Sequence, residues 1–171
     1  SEGIDLADKQ AATKSLPACG ATIHEINTIR KHLSRAKGGQ LARAAHPAAV
    51  VSLILSDVVG DDLDVIGSGP TVPDRSRYRD ALEILQRYEI WDRTPESVRE
   101  RLSQGDAGAL AETPKPGDPA FRRCDQVLVG SCLRALGAAA QTARRLGYQP
   151  LILSSKVEGE AREVARTFAA V

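Results

Sequence analysis

The run Ala48-Ala49-Val50-Val51-Ser52-Leu53-Ile54-Leu55 constrains this chain more than any other segment. A nearly continuous apolar stretch of that length has the pattern of a β-strand buried on both faces, as in a parallel sheet. It stops abruptly at Ser56-Asp57. The acids Asp61, Asp62 and Asp64 follow, and the turn Gly67-Ser68-Gly69-Pro70-Thr71 closes the run. Open α/β sheets bind ligands beyond the carboxyl ends of their strands, so this loop is where chemistry is expected.

The rest of the chain alternates in the same style. A short helix is expected over residues 6–11, with a break at 16–20. Ile23, Ile26, Ile29 and Leu33 recur at near-helical spacing. Residues 40–45 read as another short helix and 78–88 as an amphipathic one. Thr94-Pro95-Glu96 opens a helix running to about Leu102, with a cap, a proline at the first position and an acid near the positive dipole end. Residues 107–120 contain two glycines and three prolines and read as an exposed connector. A strand at 126–129, a helix at 133–146, a glycine stop at Gly147 and a strand at 150–153 form an expected right-handed βαβ unit. A last helix, 160–171, carries Val164, Phe168 and Val171 on one stripe. The expected fold class is α/β: a Rossmann-like, mostly parallel sheet covered by helices, with residues 1–171 forming a single domain. Three expected strands end in similar chemistry, at Ser56-Asp57, Gly130-Ser131 and Ser154-Ser155.

Composition narrows the function classes. A net charge of +1 argues against broad binding to nucleic acid or to an anionic membrane. No apolar run approaches the ~20 residues of a membrane span. The start, Ser1-Glu2-Gly3-Ile4-Asp5, lacks the basic-then-apolar pattern of a secretory leader. Cys19, Cys124 and Cys132 form no CxxC pair, and an odd count points to reduced thiols and a cytoplasmic setting. The three histidines lack zinc-site spacing. Neither GxxxxGK[ST] nor GxSxG is present, which removes the P-loop and the commonest serine-hydrolase signatures.

Each candidate residue has a plain structural alternative. Asp57 suits a magnesium ion or proton acceptance from an attacking hydroxyl; the alternative is a turn residue. Asp61 is the foremost of the following acids as a second metal ligand; such runs are otherwise solvated turns. Gly67-Ser68-Gly69-Pro70-Thr71 can offer backbone N–H groups to an anion, but it lacks a third glycine and is not a dinucleotide fingerprint. Arg30 and Lys31, in a basic cluster with Lys37-Gly38-Gly39, can clamp a phosphate or carboxylate; the alternative is a solvated helix face. Gly130-Ser131 before a helix is an anion seat or an ordinary cap.

Taken together, Glu25-Ile26-Asn27-Thr28-Ile29-Arg30-Lys31-His32-Leu33-Ser34 with Lys37-Gly38-Gly39, Ser56-Asp57-Val58-Val59-Gly60-Asp61-Asp62, Ser68-Gly69-Pro70-Thr71-Val72-Pro73-Asp74, Val129-Gly130-Ser131 and Glu158-Gly159-Glu160-Ala161-Arg162 resemble the class II glycerate kinases. This glycerate 2-kinase family ends in a MOFRL domain, and some members are labelled hydroxypyruvate reductase. The resemblance implies ATP-dependent, magnesium-assisted phosphorylation of D-glycerate, with 2-phosphoglycerate the favoured product. It implies a longer protein, with a glycine-rich segment and a lysine before Ser1 and the MOFRL domain after Val171.

By the same resemblance, Asp57 stands near the transferred phosphoryl group or its metal. Arg30 and Lys31 neutralise phosphate or the glycerate carboxylate, and Asn27 orients substrate. Ser68, Gly69 and Thr71 bind phosphate, and Glu158 and Glu160 are outer groups. The expected partners are D-glycerate and ATP, with no nucleic acid and no membrane, and a homodimer stays open. Two other functions remain in view: an NAD(P)H-dependent hydroxypyruvate reductase, which the missing glycine pattern disfavours, and a non-catalytic module for acidic metabolites.

Overall fold

The computed structural model describes residues 3–170. Ser1 and Glu2, at the start of the stretch read above for a leader, and Val171, at the end of the last helical stripe, lie outside the described residues. The elements are α1 (Leu6–Ala18), α2 (Ile23–His32), α3 (Gln40–Ala45), β1 (Val50–Leu55), α4 (Tyr78–Arg87), α5 (Glu96–Asp106), β2 (Cys124–Gly130), α6 (Cys132–Arg145) and α7 (Ala161–Ala169), with single 3₁₀ turns at Ile66–Ser68, Trp91–Arg93 and Pro119–Phe121. β1 and β2 form a two-stranded sheet. The Val50 amide bonds the Arg123 carbonyl at 2.8 Å and the Ser56 amide bonds the Gly130 carbonyl at 2.9 Å, so the strands run parallel. None of the helices is long and apolar enough to cross a membrane among the described residues.

The chain divides into two compact units, Ser1–Ser52 with Leu63–Gln126, and Leu53–Asp62 with Val127–Val171. The first is a helical body. Its core is aliphatic: Leu16 from α1, Ile29 from α2, Leu85 from α4, and Val98 and Leu102 from α5 are fully buried. On α4, Tyr78, Ala81 and Leu85 fall at i, i+3, i+7; on α5, Val98, Leu102 and Gly105 fall at i, i+4, i+7. That period collects the apolar side chains on one face of each helix, and each fully buried large side chain contributes about 1.5–3 kcal/mol. Gly105 is required by this packing. A Cβ there would lie 2.3 Å from the Tyr78 ring.

Local chemistry sets the helix starts. Asp5 caps α1 by accepting from the Asp8 amide at 2.7 Å. Thr22 and Glu25 form a reciprocal capping box on α2. Glu25 also accepts from Arg87 Nη1 at 2.8 Å and Tyr88 Oη at 2.9 Å, which pins α2 to the end of α4. α1 runs past the expected break at residue 16, with Pro17 in its last turn. Complete burial of Leu16 anchors that turn, and this outweighs the donor that Pro17 lacks.

Part of the expected connector is not exposed. Residues 107–118 have no helix or strand, yet Thr113 and Pro114 are buried. The Asp74 amide bonds the Pro114 carbonyl at 2.9 Å, and Thr113 Oγ1 donates to Asp74 Oδ2 at 2.9 Å. Glycine and proline forbid regular structure there; they do not dictate exposure.

The second unit holds the end of β1, the acidic loop, the end of β2, α6 and α7. Ser131 caps α6, and Gly147 at φ +85° ends it. Two expectations fail here. β1 is not buried on both faces: Leu53 is 71% exposed and Leu55 76%, while Ile54 is half-buried. The segment 150–153 is not a strand, and Leu151 is 75% exposed. Apolar residues supply β propensity, but a strand exists only through a paired neighbour. The shown fold is therefore a mixed α/β chain with one parallel strand pair among the described residues.

Candidate functional site

The sequence-expected residues fall into two groups, one in each unit. In the first unit α2 meets the turn Gly67-Ser68-Gly69. All three turn residues have positive φ, with Ser68 at +64°. A serine in that left-handed region is strained by about 1–2 kcal/mol, and its surroundings hold it there. Ser68 Oγ donates to Asn27 Oδ1 at 2.8 Å, and Asn27 Nδ2 donates to the Val65 carbonyl at 3.3 Å. The Ser68 and Gly69 amides close the 3₁₀ turn onto the Val65 and Ile66 carbonyls at 2.9 and 3.0 Å. The turn's carbonyls face the segment after α2: Gly38 and Gly39 amides donate to Ser68 and Gly69 carbonyls at 2.8 and 2.7 Å, and Lys37 Nζ to the Gly67 carbonyl at 2.8 Å. Thr71 Oγ1 pairs with Ser52 Oγ at 2.8 Å. In this conformation the Ser68 and Gly69 amides and the Ser68 and Thr71 hydroxyls are already bonded within the protein.

Lys31 is 2% exposed and lies between two carboxylates, ion-paired to Asp64 and 3.4 Å from Asp74 Oδ1. Burial alone would raise Asp74. The Ser76 hydroxyl and amide, the Lys31 ammonium and the Thr113 hydroxyl outweigh it and hold the carboxyl below its ordinary range. A second knot surrounds Glu112. It accepts from the Tyr78 amide at 3.0 Å and pairs with Lys115 at 3.1 Å, and His32 Nε2 lies 3.3 Å away. Burial opposes ionisation of Glu112, yet the Tyr78 amide and Lys115 leave it more acidic than usual. Neither knot was visible in the sequence.

Arg30 is the basic residue of α2 that keeps an open face. It shares a hollow of ≈380 Å³ with Leu6, Lys9, Gln10, Thr13 and Lys14 of α1 and with Leu33, Ser34 and Lys37. Burial, then the neighbouring Arg30 charge, lowers the Lys37 ammonium below its usual range. Lys9 and Lys14 were not singled out by sequence. The signal was present on α1, where 6, 9, 10, 13 and 14 follow the i, i+3, i+4, i+7, i+8 period of one helical face.

In the second unit, Asp57 follows β1 directly and is exposed. It lines a hollow of ≈520 Å³ with Leu55, Ser56, Ser131, Cys132 and Ala135. Ser131 Oγ accepts from the Arg134 amide at 3.4 Å as the α6 cap. The end of β1 and the start of α6 thus bring Asp57 and Ser131 to one hollow, while Ser154 and Ser155, expected at a third strand end, do not line it. Asp61 sits in the same loop at φ +56°, its amide bonded to the Val58 carbonyl at 3.1 Å. Glu158 and Glu160 are exposed near the start of α7. Among the described residues no three or more His, Cys, Asp and Glu side chains stand together as a metal cage.

Comparison with known proteins gives the family. A family model described as a domain of unknown function, DUF4147, matches residues 1–103. Along nearly its whole length the chain is also similar to sugar-acid kinases. It is 44% identical over 162 residues to the glycerate 2-kinase of Pyrococcus horikoshii, covering 95% of this chain and 36% of that protein. It is 51% identical over 168 residues to an Agrobacterium vitis protein named as a hydroxypyruvate reductase, covering 98% of this chain and 36% of that one. The crystal structure of a glycerate kinase from Thermotoga maritima superposes with a TM-score of 0.80 at 41% identity, covering 99% of this chain and 38% of that chain. The chain belongs to the DUF4147 family. It spans little more than a third of the length of these relatives.

Proposed function

We propose that the whole protein phosphorylates D-glycerate with ATP and Mg²⁺ in a Rossmann-like fold, and that this chain supplies part of its active site. The observation that carries the reading is 44% identity to a glycerate 2-kinase along 95% of the chain. That relative's name favours 2-phosphoglycerate as product. Phosphoryl transfer asks a protein mainly for positioning and charge neutralisation. In this reading Asp57 is the acid at the transferred group, either as a magnesium ligand or as the acceptor of the substrate hydroxyl proton. Mg²⁺ takes one or two carboxylates and completes its shell with water and phosphate oxygens. The oxygen groups of Asp57 and Ser131 on one hollow suit that ion, and Asp61, later in the same loop, is the candidate second carboxylate. The ion would supply charge neutralisation at the phosphoryl group. Gly130 and Ser131 at the start of α6 offer the positive helix end to phosphate. Arg30 offers a planar fork to a phosphate or to the glycerate carboxylate. Asn27, Lys31, Ser68, Gly69 and Thr71 act as positioning residues that hold Arg30 and the Gly38-Gly39 segment in place. The setting is cytoplasmic and the partners are small molecules.

The test is D-glycerate-dependent ADP release by the full-length protein. Asp57→Asn should lower kcat by at least about 100-fold. Near-normal turnover in that variant removes Asp57 from the chemistry. A second reading, hydroxypyruvate reduction, is favoured by the name of the Agrobacterium relative. Oxidation of reduced nicotinamide with hydroxypyruvate, and no ADP release with glycerate, would select it.

A further inference from the structure

We infer that the hollow between α1 and α2 is a seat for a phosphate-bearing ligand, in which Lys9 and Lys14 act together with Arg30 and Lys37. Among the described residues four cations line this space and no carboxylate does. The chain as a whole carries only +1, so this is a strong local excess. Elsewhere in the same unit several basic side chains are ion-paired: Lys31 with Asp64 and Asp74, Arg43 with Asp118 at 3.3 Å, Arg87 with Glu25 at 2.8 Å, and Lys115 with Glu112 at 3.1 Å. The cations of the hollow are not. The Lys9 and Lys14 ammonium groups make no hydrogen bond or ion pair among the described residues. Arg30 Nη1 reaches only Asn27 Oδ1, at 3.5 Å, and Lys37 uses one donor on the Gly67 carbonyl.

Like charges gathered around one space repel; burial, then the Arg30 charge, lowers the affinity of Lys37 for its proton. A bound anion removes that repulsion. Its charge decides which anion fits. A carboxylate brings one negative charge against four cations. A phosphate ester brings nearly two and three acceptor oxygens, and a polyphosphate brings more. Gln10, Thr13 and Ser34 add hydrogen-bonding groups, and Leu6 and Leu33 supply an apolar wall. The volume, ≈380 Å³, is that of a small-molecule site. The inference concerns binding and holds whether or not the protein turns glycerate over.

Titration calorimetry at low salt tests it, with inorganic phosphate, ATP and a three-carbon phosphate ester as probes and D-glycerate as the carboxylate control. The protein is compared with Lys9→Gln/Lys14→Gln and with Arg79→Gln, an exposed site outside the hollow. Both sets replace surface side chains, and circular dichroism verifies the fold. Phosphate-bearing probes should bind at least about tenfold more tightly than D-glycerate, and the double variant should lose at least about tenfold while Arg79→Gln loses nothing. ATP binding above the three-carbon ester assigns the seat to a nucleotide; the reverse order assigns it to a phosphorylated acid. The proposal is overturned if the double variant binds normally, if Arg79→Gln loses as much, if D-glycerate matches the ester, or if no phosphate probe binds at millimolar concentration.

Discussion

The helical unit around α2 and the unit around α6 use polar residues in opposite ways. In the first, Lys31, Asp74, Asn27, Ser68 and Thr113 are buried and bonded to one another or to backbone. In the second, Asp57 is exposed on an open hollow and Leu53 and Leu55 of β1 are exposed. The lesson is that a polar residue in a family motif is not thereby a reacting group. The motif around α2 mixes one outward cation, Arg30, with several residues that hold the turn beside it. Burial separates the two roles where residue type cannot.

Four substitutions or conditions press on that contrast. The largest effect on stability is expected from Lys31→Met. It leaves Asp74 buried without its ammonium partner, and loss of one member of a buried pair costs about 3–5 kcal/mol. Denaturant unfolding should show this; a change below about 1 kcal/mol would mean that Lys31 is not part of the frame. Gly105→Ala comes next. The added methyl collides with the Tyr78 ring, and overpacking of this kind costs about 1–3 kcal/mol. A melting temperature equal to the parent's would show that α4 and α5 are not packed as described.

Acid gives a smaller and graded effect. The carboxyl of Asp74 is held below its ordinary range in the folded state. A group of that kind contributes stability above its unfolded pKa, and the contribution is lost as pH falls through the folded value. Melting followed from pH 6 down past about pH 4 should fall more steeply in the parent than in Asp74→Asn. Parallel slopes would remove Asp74 from the acid response. The smallest effect belongs to the other unit. Leu53→Thr, at a site 71% exposed, should change stability by less than about 0.5 kcal/mol. A loss of several kcal/mol would show that this strand face is covered in solution.

What the sequence disclosed, and what it hid, follows the same physical line. Helices α2, α3, α4 and α5 were legible because apolar spacing is a local signal, although the cap expected at Thr94 is absent: Pro95 stands at the N-cap and the Thr94 hydroxyl donates back to the Ile90 carbonyl. The α6 cap and Asp57 at the end of β1 were legible for the same reason. The Lys31 pairs were not, because Asp64 and Asp74 lie 33 and 43 residues away in sequence. Burial of Thr113 was hidden by the prolines and glycines around it. The strand expected at 150–153 had the right residues and no neighbour to pair with. The family itself was legible from motif order across the chain, while the division of labour inside each motif needed coordinates.

The most direct measurement sets Asp57→Asn beside Lys31→Met in the full-length protein and follows both D-glycerate-dependent ADP release and thermal unfolding. The account predicts that Asp57→Asn melts like the parent and loses turnover, whereas Lys31→Met loses melting temperature. Parent-like turnover in Asp57→Asn, or a stable Lys31→Met protein whose only defect is catalytic, would contradict it.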